Sequence, residues 1–153
     1  MEDYTKAINL DPKLAVSYGY RGYAYLDKGE KKGKTDLAIA DFNKAIELDP
    51  KLAFAYGYRG YAYLAKGETD LAIADFNKAI ERDPKFASAY AGKGDMYQAK
   101  GDLDRAIDDY TRAIGLDPEY ARAYRARGEA YKAKGDMGRA TADFQKSAEL
   151  EQK

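Results

Sequence analysis

Histidine, cysteine and tryptophan are all missing from this chain of 153 residues, and proline occurs only four times. Without cysteine there are no disulfides, no thiolate zinc sites and no thiol nucleophile. Without histidine the commonest general base and metal ligand are gone, along with every Ser-His-Asp arrangement. The only serines are Ser17, Ser88 and Ser147. No run approaches the roughly 18 apolar residues of a membrane span, and the acidic start Met1-Glu2-Asp3 is unlike a signal peptide. An excess of charge is absent too, because 26 Lys and Arg balance 26 Asp and Glu. Nucleic-acid binding draws on surplus cations facing phosphate, so that partner is not expected. Composition points to a cytoplasmic, non-catalytic chain with no cofactor, no metal and no membrane span.

Tyrosine is abundant, with fifteen copies against five phenylalanines. The placement of these residues follows a repeat. Every proline follows aspartate, at Asp11-Pro12, Asp49-Pro50, Asp83-Pro84 and Asp117-Pro118, spaced by 38, 34 and 34 residues. Glycines recur in step at Gly22, Gly60, Gly94 and Gly128, and again at Gly29, Gly67, Gly101 and Gly135. The surplus in the first interval is Lys31-Lys32-Gly33-Lys34, an insertion at 31–34. A fixed period of this length marks a repeat array.

Each period reads as two helices. Asp-Pro suggests an N-cap followed by a first-turn proline, so a helix is expected from Pro50 to about Lys66. Gly67 can close it in the left-handed conformation. Glu68 or Thr69 then caps a second helix running to about Arg82. Leu71, Ala72, Phe76, Ala79 and Ile80 recur at helical spacing and form its expected buried face. No strand periodicity appears, and the expected fold is all-α.

These residues resemble the tetratricopeptide repeat (TPR) family. Its W-x2-L-G-x2-Y, A-x3-F and P pattern is represented by Tyr56, Arg59, Gly60, Tyr63, Ala72, Phe76 and Pro84. The first full repeat carries Tyr18, Arg21, Gly22, Tyr25, Ala38, Phe42 and Pro50, and the third carries Tyr90, Lys93, Gly94, Tyr97, Ala106, Tyr110 and Pro118. The fourth has Tyr124, Arg127, Gly128, Tyr131, Ala140 and Phe144. Tyrosine replaces the family's Trp throughout, and a cation replaces its Leu. The resemblance implies a right-handed αα superhelix, a solenoid of antiparallel helix pairs. The expected divisions are a lone second-type helix at 1–11, then repeats at 12–49, 50–83, 84–117 and 118–153. A start inside a second-type helix suggests a piece of a longer array, or ends covered by self-association.

Helical geometry places Phe54, Tyr58, Tyr61 and Ala65 on the arc opposite the family's core residues. Corresponding sets are Val16, Tyr20, Tyr23 and Asp27; Ser88, Gly92, Asp95 and Ala99; and Arg122, Ala126, Glu129 and Ala133. The resemblance makes this arc the concave, peptide-binding side. Exposed aromatic patches mark interaction sites, and tyrosine combines large area with low entropy cost. The expected ligand is therefore a protein or peptide segment, docked by Val16, Tyr20, Tyr23, Phe54, Tyr58 and Tyr61, with Asp95, Arg122, Arg125 and Glu129 meeting its charges. A competing reading has the tyrosines only packing on one another, since the first two repeats match at 33 of 37 aligned positions. The alternative function is homo-oligomeric assembly through the array ends. One TPR subclass grips carboxylate tails with Lys and Asn on this arc, but tyrosines stand there instead.

Three smaller readings complete the sequence. Gly19 and Gly57 clear room either for a ligand backbone or for a tyrosine ring of the next repeat. Asp41, Asp75, Asp109 and Asp143 each precede a cation by three residues, an i,i+3 pairing with Lys44, Lys78, Arg112 and Lys146. Arg21, Arg59, Lys93 and Arg127 are expected to reach the same aspartates from the first helices. Gly29-Glu30-Lys31-Lys32-Gly33-Lys34-Thr35 looks like a P-loop but is one residue short and follows a helical pattern, so it reads as a solvated turn.

Overall fold

The computed structural model describes residues 1–27 and 33–152. Among them nine helices appear: α1 (Glu2–Leu10), α2 (Ala15–Asp27), α3 (Lys34–Leu48), α4 (Ala53–Ala65), α5 (Thr69–Arg82), α6 (Ala87–Ala99), α7 (Leu103–Leu116), α8 (Ala121–Ala133) and α9 (Met137–Glu151). None of these is long and apolar enough to cross a membrane. The chain divides into two compact units, Met1–Pro84 and Lys85–Lys153. In unit 1, α2 packs on α3 and α4 on α5, with α1 against α2 and α3 against α4; unit 2 pairs α6 with α7 and α8 with α9, joined through α7 and α8. Short turns at 66–68, 100–102 and 134–136 make α4 and α5, α6 and α7, and α8 and α9 antiparallel pairs.

The Asp-Pro steps work differently from the expected cap. The Asp49 carboxylate turns back and accepts the Lys51 N–H at 2.9 Å, and Asp11 and Asp117 treat Lys13 and Glu119 alike. This is an Asx turn, so the first-type helix opens at Ala53 rather than at Pro50. Gly67, at φ 75°, closes α4 as expected, in a region costly for any side chain. Second helices in unit 2 have true caps, Asp102 and Asp136, whose side chains accept from the Arg105 and Arg139 N–H. The P-loop-like segment lies largely outside the described residues; Gly33 sits at the N-cap of α3.

Alanines carry the contact between helices. In unit 1, Ala38, Phe42, Ala45 and Ala55 form one buried cluster; in unit 2, Ala91, Ala106, Tyr110, Ala113, Ala123 and Ala130 form another. Their small side chains let backbones approach. Gly60 shows the limit, because a Cβ there would meet the Phe76 ring at 2.8 Å. Leu71 does not join the buried face and is 49% exposed. The stripe is instead centred on Ala72, Asp75, Phe76 and Ala79, which places Leu71 on its rim.

Candidate functional site

Fixing the first helix of each pair is the first requirement for any surface on its far side. Arg59 of α4 forks onto Asp75 of α5 with two bonds of 2.7 Å, and its third contact is a 2.7 Å bond to Asn43 of α3. Arg21 grips Asp41 in the same way, and Arg127 grips Asp143. Tyr56 and Tyr63 flank the Arg59 guanidinium, with ring centroids 5.6 and 5.8 Å away. Hydrogen bonding to Asp41 and Asp143 holds Arg21 and Arg127 above the ordinary guanidinium range. For Arg59, burial opposes the charge, yet the bonds to Asp75 outweigh it and the net shift is upward.

Two expectations need correction here. Among the described residues the expected aspartate pairs do not form: Lys44, Lys78 and Lys146 turn the other way along their helices and reach Glu47, Glu81 and Glu149. The aspartates face inward, each only 6% exposed, where the lysines on the outer flank cannot follow. Lys93 also fails to pair with Asp109, because a single ammonium cannot reproduce the bidentate guanidinium fork. Among the described residues no hydrogen bond or ion pair reaches Asp109, and burial pushes its carboxyl up, with Lys93 and Arg112 only partly offsetting this.

On the opposite arc of unit 1 the aromatic side chains meet. Tyr20 and Tyr23 are 50% and 41% exposed and Val16 is exposed, while Phe54, Tyr58 and Tyr61 are half-buried. Tyr20 stacks on Phe54 at 5.3 Å, and Tyr23 meets Tyr58 edge-on at 4.7 Å. Tyr58 lies 6.3 Å from Tyr61, whose ring in turn meets Phe76. Between the rings is an open cavity of about 370 Å³, lined by Tyr4, Tyr20, Tyr23, Phe54 and Tyr58. Gly19 makes this possible, since a Cβ there would overlap the Phe54 ring. The room at Gly19 is therefore filled by an aromatic of the next repeat, a phenylalanine rather than a tyrosine.

Tyr4 is not among the residues that the sequence pattern singles out. It occupies the position of Phe42 in its repeat, but its ring stacks on Tyr20 at 5.8 Å. The available signal was a hydroxyl at a position held by phenylalanine in three of the four full repeats, Tyr110 being the fourth.

Unit 2 presents a different arc. Asp95 pairs with Arg122 and also accepts from the Tyr110 hydroxyl at 2.9 Å. These two charges are thus engaged with each other. Arg125 and Glu129 are exposed and make no ion pair among the described residues. The sequence could not separate paired from outward charges, because Asp95 and Arg122 lie 27 residues apart.

The repeat pattern matches known families throughout. A TPR repeat description fits residues 31–67 and 94–135, and tetratricopeptide repeat descriptions fit 53–86, 76–108 and 121–153. No protein of curated function matches the sequence. Among solved structures, a crystal structure of MamA is 32% identical, with TM-score 0.73, covering 97% of this chain and 85% of that one. MamA from Desulfovibrio magneticus shares the fold at 23% identity and TM-score 0.71, covering 97% and 82%. A thermophilic TPR protein of Thermus thermophilus does so at 20% identity and TM-score 0.83, covering 96% and 79%. The 34-residue beat, the paired helices and these matches agree, and the chain belongs to the tetratricopeptide repeat family of protein-interaction modules.

Proposed function

We propose that this chain binds without catalysing, docking a peptide segment on the aromatic arc of unit 1. Val16, Tyr20, Tyr23, Phe54, Tyr58 and Tyr61 are the anchors. The observation that carries the reading is the cavity walled by five rings, two of them tyrosines that are 50% and 41% exposed. Rings that served packing alone would be covered, whereas Tyr20 and Tyr23 keep much of their surface open to a ligand. Asp95, Arg122, Arg125 and Glu129 of unit 2 form a second contact set, with Arg125 and Glu129 offering charge directly.

Selection of displayed peptides on the full chain, followed by calorimetry, tests this. Buried aromatic anchors typically contribute about 2 kcal/mol or more each on truncation. Tyr20→Ala or Tyr58→Ala alone should therefore weaken a selected peptide about thirtyfold, and the double variant more. Full retention of affinity in the double variant refutes the groove. Self-assembly through the ends of the array is the second reading. It is the weaker one, because Ile107 and Ile114 of α7, which pack against the buried cluster of unit 2, are replaced on α9 by exposed Thr141 and Ala148. Concentration-dependent mass in light scattering would favour assembly.

A further inference from the structure

The aromatic cavity of unit 1 has no cation among its lining residues. Ring faces carry the negative lobe of the aromatic quadrupole, and the Tyr4–Tyr20–Phe54 stack and the edge-on Tyr23–Tyr58 pair wall one space, so whatever faces they turn to it favour positive charge. The formal charges nearby point the same way. Arg21 and Arg59, the cations of α2 and α4, are forked onto Asp41 and Asp75. What α1, α2 and α4 retain is Glu2, Asp3 and Asp27 against Lys6 alone.

Asp27 is the informative member. It is exposed, stands one helical turn beyond Tyr23 on the same arc, and has no ion pair among the described residues. The equivalent residue on α4 is Ala65, one of four differences in the otherwise identical 37-residue stretches. The near-copy thus carries a carboxylate only beside the open tyrosines Tyr20 and Tyr23.

We propose that this cavity seats a cationic side chain, lysine or arginine, of the docked peptide, between the rings of Tyr20, Tyr23 and Tyr58 and within reach of Asp27. This rests on the docking reading and specifies its ligand. A purely apolar side chain would gain the same burial but neither the ring-face attraction nor the carboxylate. A cation–π advantage of ordinary size corresponds to about tenfold in affinity.

The test uses the full chain with ¹³C-labelled tyrosine rings, titrated with Nα-acetyl-lysine methylamide, the arginine analogue, and the norleucine analogue that lacks the charge. The expected result is that both cations shift the Tyr20 and Tyr23 ring signals, at about tenfold lower concentration than norleucine. Tyr20→Leu, which keeps apolar area but removes a ring, should abolish that preference, and Asp27→Asn should reduce it. Equal binding of norleucine overturns the cation inference while leaving an apolar docking surface intact. Failure of all three probes to shift the rings also overturns it, and the displayed-peptide selection then judges the docking reading separately. If Tyr20→Leu does not fold, the wild-type comparison of lysine with norleucine still decides.

Discussion

Replacing Arg59 by Leu, the residue type the TPR pattern carries at this position, should be among the most damaging single changes in the chain. It leaves the Asp75 carboxylate behind, with a side chain only 8% exposed and stripped of both 2.7 Å bonds. Breaking a buried pair from one side costs about 3–5 kcal/mol, because the remaining charge is uncompensated. The added apolar contact of Leu returns about 1–2 kcal/mol of burial, which leaves a net loss of about 1–4 kcal/mol. The double variant Arg59→Leu with Asp75→Asn removes the orphaned charge and should be milder than Arg59→Leu alone. Urea titration by circular dichroism on the wild type, both single variants and the double gives the coupling energy, expected at about 2 kcal/mol. A coupling near zero would mean that the aspartate finds water or another donor, and the view of these pairs as fasteners of the first helices would fall.

Glycine positions separate packing from helix propensity. Gly60→Ala should destabilise by about 1–3 kcal/mol through its clash with Phe76, outweighing roughly 1 kcal/mol of propensity gain, while Gly115→Ala in α7, where nothing lies within 4 Å, should stabilise; melting temperatures that move in the same direction would contradict this. Asp109 has a carboxyl raised by burial, so the folded chain holds a proton that the unfolded chain releases between the ordinary carboxylate value and the raised one. Stability contributed at this site therefore falls as pH rises through that window, and the penalty is complete above it. Asp109→Asn should flatten that slope, and Lys93→Arg, by restoring the fork, should stabilise the chain at pH 7 by about 1–2 kcal/mol; unchanged urea midpoints would refute both. Tyr110→Phe removes the hydroxyl that donates to Asp95 at 2.9 Å and should cost about 1 kcal/mol, measured by the same titration.

Much of the fold is legible along the chain because its signals are local. Gly67 must be left-handed where a helix stops, whatever lies around it, and Gly60 must be small where Phe76 crosses. The candidate site was legible as an arc, since a helix fixes which of Tyr20, Tyr23 and Val16 share a face. Its complete lining and the arrangement of the rings were not. Tyr4 belongs to the cavity only because α1 packs on α2, and Phe54 enters only because Gly19 leaves space on a different helix.

The sequence by itself determined the period, the helices and the face each residue occupies, because these depend on neighbours within a few positions. Tertiary structure decided between the two cations that the repeat pattern offered each aspartate. Asp75 had Lys78 three residues away and chose Arg59 sixteen residues back, since only the inward rotamer lies where α4 docks. The same docking engaged Asp95 with Arg122 and left Arg125 and Glu129 exposed. Charge pairing in a buried seam is set by which helix faces which, so a linear pattern offers candidate partners and the packing of the helices chooses among them.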